Sequence, residues 1–363
     1  MAYTTIDDPS AHFQTTTYAG DSSNSTVITN GGNSDLQPDF VWIKNRTLAG
    51  GGSSNHMLFN SSVGIGTGAN SPYLITDNNG PETTNSNALQ AVSSNGFTPG
   101  SMTRTNETNS NFVAWQWKAN GGTTSSNTDG TITSTVQANT DAGFSIYTYT
   151  GTGAAGTVGH GLGGLPEMII MKGRNTTSNW PVYVDPQKDG TLQFPILNGQ
   201  DGNVGNSPFT WDTTKFTFSS GSSYSNTSGT NYIAYAFRSI QGYSKFGSYV
   251  GNGAAYGPFA YTGFKPAFLM IKNTTGSVGH WTMYDNKRAA TNLNNKKLAA
   301  NVTVAENDSG QLGGDTYGID FLSNGFKIRL TGNNHNVSAS TYIYMAFAEE
   351  PFVTSTGVPT TAR

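Results

Sequence analysis

The sequence predicts an all-β protein built from antiparallel sheets. Three observations carry this prediction: an uncharged polar composition rich in aromatics, a threefold internal repeat, and hairpin turn signals between strand-like segments. Of the 363 residues, 11% are charged, 12% are aromatic and 45 are glycine. Aromatic and β-branched residues favour strands, whereas Ala, Leu, Glu and Lys favour helices. The composition therefore indicates twisted sheets with a polar outer face.

An internal repeat divides the chain into three copies. One block has a proline followed six residues later by a lysine, with apolar residues between them, and it occurs at residues 38–44, 166–172 and 266–272. A second block, rich in aromatics, ends each copy at residues 111–118, 231–238 and 341–348. Ordered blocks at similar spacing indicate three diverged copies of one unit.

Shorter matches support the same alignment. Residues 180–183 parallel residues 281–284, with residues 56–59 as the third version. Residues 95–97 parallel residues 324–326. What recurs between the copies is the strand framework, so a function specific to this protein is expected in the parts that do not repeat.

The copies predict the domain borders. The predicted segments are a β-sandwich repeat over 1–120, a polar linker or loose hairpin over 121–130, a second repeat over 131–239, a third repeat over 240–353 and a C-terminal arm over 354–363. Each copy has the size of an independent domain, which predicts three tandem domains. The second and third are expected to pack rigidly because almost no linker separates them. The first copy departs most from the others and is expected to be the attachment domain, with the other two projecting outward.

Strand patterns define the unit. Residues 144–149 alternate in the manner of a strand, and residues 232–237 are apolar on both faces, which is typical of a central strand. Pro166 opens its strand, where a missing N–H does least damage. Asn-Gly and Asp-Gly pairs separate these segments and favour hairpin turns. An antiparallel β-sandwich or jelly roll is the class that fits.

Several function classes are disfavoured by the sequence. The net charge is −3 and no Lys/Arg run occurs, so no nucleic-acid partner is expected. There is no cysteine, which excludes disulfides and thiolate metal sites. Apolar runs such as residues 267–271 are far too short to cross a bilayer, so no membrane insertion is expected. The N-terminus lacks the pattern of a signal peptide.

Motifs for chemistry are weak. Residues 151–156 spell Gly-x-Gly-x-x-Gly, but the residues that follow cannot form the helix a dinucleotide site needs, which predicts a sheet-edge loop. The acidic residues show no paired spacing, so no catalytic residue is assigned. Loops at residues 201–206 and 307–310 carry oxygen ligands, which leaves calcium open although no metal or cofactor is predicted.

Two residues are the candidate ligand contacts. Trp211 has no clear counterpart in the other copies and is predicted to be an exposed aromatic. His160 lies in a Gly-rich loop where it could contact a ligand, although a solvated or hairpin-bonded histidine is the favoured interpretation. The repeated tryptophans are expected in the core, namely Trp115, Trp117, Trp180 and Trp281. The repeated lysines are expected at solvated strand ends, namely Lys44, Lys172 and Lys272.

Five segments resemble a family of tailed-phage virion proteins common in marine phages: residues 35–46, 112–122, 142–151, 157–163 and 342–352. The resemblance covers nearly the whole chain. It implies concanavalin- or laminin-G-like sandwich domains in tail-fibre, receptor-binding or capsid-decoration proteins. No catalytic motif of the family carries over to this sequence.

The resemblance sets the functional expectations. The first is a non-enzymatic tail-fibre or receptor-binding protein that contacts a host glycan or outer-membrane protein. The second is a capsid decoration or head-fibre protein, and the third is a glycan-cleaving tailspike. The expected partners are other virion proteins and further copies of the chain in a homotrimer. The expected location is the virion, assembled in the host cytoplasm.

Overall fold

The computed structural model describes residues 3–47, 54–65, 70–185, 188, 190–206, 209–219, 223–275, 279–307, 312 and 318–360. The prediction of an all-β protein with antiparallel sheets is confirmed. Each repeat contributes one large sheet and one three-stranded sheet that covers it.

The first repeat has a six-stranded sheet in the order β1-β9-β3-β4-β5-β6 and a small sheet in the order β2-β8-β7. Its strands are β1 (Phe13–Ala19), β2 (Ile28–Thr29), β3 (Phe40–Asn45), β4 (Met57–Asn60), β5 (Ser71–Ile75), β6 (Thr83–Asn85), β7 (Leu89–Ser93), β8 (Gly96–Pro99) and β9 (Asn111–Trp117). Two 3-10 turns, Pro9–Ala11 and Ser61–Val63, and the short helix α1 (Thr103–Asn106) lie between them.

The second repeat has an eight-stranded sheet in the order β10-β11-β12-β20-β14-β15-β16-β17 and a small sheet in the order β13-β19-β18. Its strands are β10 (Ser125–Asn127), β11 (Ser134–Asn139), β12 (Phe144–Thr150), β13 (Gly156–Gly159), β14 (Met168–Gly173), β15 (Val182–Val184), β16 (Gln193–Pro195), β17 (Asn203–Asn206), β18 (Thr210–Trp211), β19 (Lys215–Phe218) and β20 (Asn231–Phe237).

The third repeat has a five-stranded sheet in the order β21-β28-β23-β24-β25 and a small sheet in the order β22-β27-β26. Its strands are β21 (Ser244–Val250), β22 (Phe259–Tyr261), β23 (Phe264–Asn273), β24 (Thr282–Asp285), β25 (Leu298–Ala299), β26 (Ile319–Leu322), β27 (Gly325–Ile328) and β28 (Thr341–Pro351).

The three repeats share one framework. The last long strand of each repeat, β9, β20 or β28, pairs on one side with β1, β12 or β21. On its other side it pairs with β3 or β14, which follow the repeated proline, or with β23, which contains it. A stacked aromatic pair joins the first and last strands in every copy, with ring centroids 5.0–5.1 Å apart: Tyr18 with Phe112, Tyr149 with Tyr232, and Tyr249 with Tyr342. The sequence repeat is therefore a repeat of structure.

The hydrophobic core has two layers. Within each repeat, an outer core lies between the large and small sheets, and Phe97, Phe216 and Phe326 are its buried counterparts. A further core joins the inner faces of all three large sheets. There Phe40 stacks on Tyr235 at 4.4 Å and Phe13 stacks on Phe347 at 5.0 Å.

This shared core corrects the expected arrangement of the repeats. The first repeat as attachment domain, with the other two projecting outward, stays a prediction, but the three repeats were also expected to be tandem domains, each of independent size. Instead the three large sheets enclose one apolar centre, so each repeat buries its inner face only by contact with the other two. The central strands read as apolar on both faces because both faces are covered.

The segment over 121–130 is more ordered than a linker. Its strand β10 pairs with β11 and extends the second large sheet, with Ser125 opposite Val136 and Asn127 opposite Ser134. The hairpin alternative is the one the structure contains. The C-terminal segment turns back on itself through a bridge from Val353 to Pro359, and the backbone N–H of Ser355 donates to Asp7 at 2.6 Å.

In the described part of the chain, no helix has the length and apolar character needed to span a membrane.

Candidate functional surface

The repeated lysines are buried at the three contacts between repeats. Each ammonium donates to a carbonyl of a neighbouring repeat: Lys172 to Asn79 at 3.2 Å, Lys272 to Gln200 at 2.6 Å and Lys44 to Thr303 at 3.0 Å. These contacts join the second repeat to the first, the third repeat to the second and the first repeat to the third, so they close a ring. The expectation of solvated lysines is wrong, because carbonyls of two repeats replace water around each ammonium.

Each lysine also binds a carbonyl of its own repeat, on the loop that follows its strand. The acceptors are Ser178 at 2.9 Å for Lys172, Gly279 at 2.6 Å for Lys272, and Ser54 for Lys44. Burial lowers the pKa of Lys172 to about 8 and the pKa of Lys272 to about 7. The lysines therefore fasten loops to interfaces and are not available to an outside ligand.

A buried ring system repeats the same cyclic order. The indole N–H of Trp180 donates to Ile75 O, and that of Trp281 donates to Ile196 O, both at 2.9 Å. His56 holds this position in the first repeat and approaches the backbone of Ala299 without completing a hydrogen bond there. Its Nδ1 accepts the indole N–H of Trp42 at 3.0 Å. The prediction that the repeated tryptophans lie in the core is confirmed.

Paired charges close two of the three interfaces. Arg174 forms a bidentate pair with Glu82 at 2.7 and 2.8 Å, and Arg46 forms one with Glu306 at 3.0 and 3.1 Å. At the third-to-second interface the equivalent positions hold the neutral residues Thr274 and Asn203. These two positions are joined by the backbone bond that all three interfaces share, in which Asn203 N–H donates to Thr274 O at 3.0 Å.

Trp211 does not lie where the sequence suggested. Trp211 lies on β18 opposite Phe216 of β19, and it packs against the outer core of the second repeat. The same position on the third small sheet holds Phe321, opposite Phe326. Trp211 thus has a counterpart in another copy. Its ring is half-buried rather than exposed, because it packs against the outer core beside Phe216, and its role as a ligand contact stays a prediction.

His160 is buried with both ring nitrogens engaged. Its Nδ1 accepts the backbone N–H of Leu162 at 3.1 Å, and Nε2 lies 3.1 Å from Asp212 O. Burial lowers the pKa of His160, which favours the neutral ring that this pairing requires. The hairpin-bonded interpretation fits, and binding of a ligand by His160 is no longer favoured.

A repeated buried asparagine was missed by the sequence reasoning. Asn106, Asn226 and Asn336 each accept a backbone N–H from the loop after the first strand of their repeat, at 2.8–3.0 Å. Each is followed two residues later by Thr or Ser. This Asn-x-Thr/Ser signal was visible, but the abundance of Asn, Thr and Ser concealed it.

The outer surface of the third repeat carries the aromatic residues that packing leaves unused. Among the described residues, the exposed aromatic side chains are Tyr256, Phe259 and Tyr261, at 74%, 43% and 54% exposure. All three lie within six residues, on β22 and the loop before it. These three residues are called the aromatic strip. Solitary exposed apolar residues are ordinary, but a cluster marks a contact surface.

The other repeats show that the fold does not require aromatics at these positions. Phe259 lies opposite Lys327 and Tyr261 lies opposite Gly325. By the same pairing, the counterparts are Thr157 and Gly159 in the second repeat, and Val27 and Thr29 in the first. The aromatic strip is therefore an addition made by the third repeat alone.

The rings of the aromatic strip are held in place. The hydroxyl of Tyr261 lies 3.2 Å from that of Tyr3, which donates to Gly263 O at 2.8 Å. The guanidinium of Arg329 lies 5.3 Å from the ring centre of Tyr256. The ring of Phe259 covers Gly325, where an added Cβ would lie 3.0 Å from it. Fixed rings form a surface that needs little ordering on binding.

Charged side chains accompany the aromatic strip. Lys327 stands opposite both Phe259 and Asp320 across the small sheet, and its ammonium donates to Gly257 O at 2.7 Å. Arg329 pairs with Asp320 at 3.2 Å. Two cations and one anion thus lie among the rings of a chain whose net charge is −3.

Tyr3 also lines a groove of different character. The groove runs beneath the N-terminal segment, and its charged lining comes from Asp7, Asp8, Asp141 and Arg238. Asp7 is occupied by Ser355, whose backbone N–H it accepts at 2.6 Å. Tyr3 therefore lines this groove and also contacts Tyr261 of the aromatic strip.

The described residues contain no group of three or more His, Asp or Glu side chains arranged to hold a metal ion. Of the two loops in which calcium was left open, residues 201–206 are described, apart from the side chain of residue 206. Only residue 307 of the second loop is described, and residues 308–310 lie outside the described residues.

Comparison with known proteins gives a family but no activity. A family model described as a domain of unknown function, DUF7483, matches residues 8–351. The chain belongs to the DUF7483 family. The match spans all three repeats, so the family unit is the whole ring and not a single repeat. No curated protein and no solved structure matches the chain.

Proposed function

We propose that this DUF7483 protein is a non-enzymatic virion surface protein whose third repeat contacts the host, as in a tail fibre or receptor-binding component. The aromatic strip is the observation that carries the proposal. It sits on a sheet whose inner face is fully used in packing, and the same sheet in the other repeats does without it. The resemblance of the sequence to marine phage virion proteins supplies the virion context.

A closed ring suits that role. Adhesion to a surface needs a rigid body with a fixed contact face, and the interfaces described above hold the third repeat through both of its neighbours. The groups buried at these interfaces are engaged in closing the ring. The outer surface is left for contact with a partner.

A capsid decoration or head-fibre protein is the second candidate. The observation in its favour is the cyclic order of the three repeats, which gives one chain an approximate threefold character. Such a body suits a threefold seat on a shell. The expected homotrimer remains a prediction.

Immunogold electron microscopy tests the proposal on phage particles made from the genome that encodes the chain. Label at the tail tip supports the host-contacting role, and label over the shell supports decoration. Purified chain added before infection should reduce adsorption of the phage in the first case only. Absence of the chain from purified particles by mass spectrometry would contradict both roles.

A further inference from the structure

We infer that the aromatic strip is a binding site for an acidic polysaccharide. The inference rests on the proposed function for its setting and deepens it by naming the ligand class. It is argued from the spacing of the rings, their fixation, the charges among them and the contrast with the other two repeats.

The rings are spaced to meet an extended chain. Phe259 and Tyr261 are two residues apart on one strand, so their side chains leave the same face of the sheet from Cα atoms about 7 Å apart. Tyr256 precedes them on the adjoining loop. A polysaccharide offers successive flat faces of C–H groups, and the face of an aromatic ring is the surface such groups stack upon.

The fixation of the rings favours a weakly binding, repetitive ligand. Tyr261 is tied through its hydroxyl to Tyr3, and Tyr256 lies against the guanidinium of Arg329. Little side-chain freedom remains to be lost when a ligand arrives. Each sugar contact is small, so a surface that is already ordered matters more here than for a large protein partner.

The charges select an acidic ligand. Lys327 and Arg329 outnumber Asp320 beside the rings, which gives the strip a net positive charge on a chain that is negative overall. The carboxylate or sulfate groups of a polysaccharide complement that excess. A protein interface of standard size needs roughly 800 Å² per partner with few charges at its centre. Three rings interleaved with three charges do not match that description.

The repeats supply the test variants. Phe259→Thr installs the residue of the second repeat, and Tyr261→Thr installs that of the first. The double variant should fold like the parent, because the same sheet carries those residues elsewhere in the chain. Lys327→Gln removes the positive charge without removing a ring. Leu165→Thr is the matched control, since it removes an exposed apolar side chain from the second repeat.

The experiment measures binding of the full chain to alginate, hyaluronate and carrageenan, with dextran and pullulan as neutral controls. The parent and Leu165→Thr are expected to bind at least one acidic polymer and neither neutral one. The double variant should bind at least tenfold more weakly at unchanged melting temperature, and Lys327→Gln should reduce the salt dependence of binding.

Three results would overturn the inference: no binding of the parent to any acidic polymer, equal binding by parent and double variant, or dissociation of an oligomer by the double substitution in sedimentation. The last would mean that the strip joins copies of the chain. If the double variant still blocks phage adsorption, the sugar site is wrong while the proposed function stands. If the parent binds acidic polymers but is missing from particles, the proposed function is wrong while the sugar site stands.

Discussion

At the interfaces inside the ring, equivalent positions of the repeats make the same contacts. On the small sheets outside the ring, equivalent positions carry different kinds of residue. Lys172 and Lys272 make the same two carbonyl contacts at two different interfaces. On the small sheets, Thr157 and Phe259 share a position but not a chemistry. The shared lysine contacts are needed to close the ring, whereas the fold does not require an aromatic residue at position 259. We therefore assign the lysine contacts to stability and the aromatic residue to the proposed function.

The largest loss of stability is expected from Arg288→Met, at the third-to-first interface. Arg288 is fully buried and bonds Asp285 at 2.5 Å, Glu306 at 3.0 Å and Met283 O at 3.0 Å. Its removal leaves the buried carboxylate of Asp285 without its cation, which costs about 3–5 kcal/mol, while Glu306 keeps its pair with Arg46. Urea denaturation measures the free energy of unfolding. Arg329→Met, which breaks the exposed pair on the outer sheet, should cost less than about 1 kcal/mol. Equal losses would erase the contrast between inside and outside.

A smaller loss is expected from Lys272→Met. The substitution removes the ammonium donor from the carbonyls of Gln200 and Gly279, at roughly 1–3 kcal/mol, partly offset because an ammonium no longer has to be buried. Gln200 O keeps the backbone N–H of Gly279 at 2.9 Å. Lys172→Met should behave alike if the interfaces are equivalent. Lys287→Met, at an exposed position, is the control. A neutral result for both buried lysines would mean that the carbonyls find other donors.

The buried lysines also predict a pH dependence. Burial holds the pKa of Lys272 at about 7 and that of Lys172 at about 8, below the unfolded value of 10.5. Between these values the unfolded chain binds more protons, so the free energy of unfolding should rise with pH from about 7 to about 9.

Buried tyrosines reverse the trend at higher pH. Burial raises the pKa of Tyr147, Tyr235 and Tyr284 above the unfolded value of 10.0. Above about pH 10 the unfolded tyrosines lose protons that the folded ones keep, and stability should fall. Urea midpoints across pH 6–11 give the profile, and Lys272→Met should flatten its rising part. A flat parent profile would contradict the burial of the lysines.

The smallest effect is expected where the interfaces differ. Replacing Arg174 by Thr and Glu82 by Asn copies the third-to-second interface onto the second-to-first. The pair is partly exposed, with side chains 24% and 16% accessible, so its loss should cost less than about 1 kcal/mol. A double-mutant cycle in urea isolates the pair. A coupling energy of several kcal/mol would show that the interfaces are less alike than their backbone bonds suggest.

The repeat, the strands and the repeated core tryptophans followed from the sequence because periodicity and composition encode them directly. The shared centre did not. An apolar central strand such as Tyr232 to Phe237 shows that both faces are covered, but not by what. Here one face meets the repeat's own small sheet and the other meets two foreign sheets. Only the spatial arrangement of the copies distinguishes this from three separate sandwiches.

The misplaced side chains have identifiable causes. A lysine at a strand end is usually solvated, and no local pattern announced that Thr303, 259 residues away, would supply a carbonyl to Lys44. Trp211 and Phe321 each lie five residues before the phenylalanine they face, Phe216 or Phe326, so the match was present in the spacing but concealed by the exchange of Trp for Phe.

The alternation of large and small residues along β22 concealed the aromatic strip in the sequence. In Phe259-Ala260-Tyr261 the large residues suggest the inner face, yet Ala260 is the one that faces the core. Side chains alternate along a strand, so the order of sizes cannot tell which set points inward.

Closure of the ring has to wait until the third repeat has been synthesised. The carbonyl that receives Lys44 is made 259 residues after it, which at roughly 5–20 residues per second is a delay of roughly 13–50 s. Until then the inner face of the first repeat, including Trp42 and Phe40, has no partner from its own third repeat.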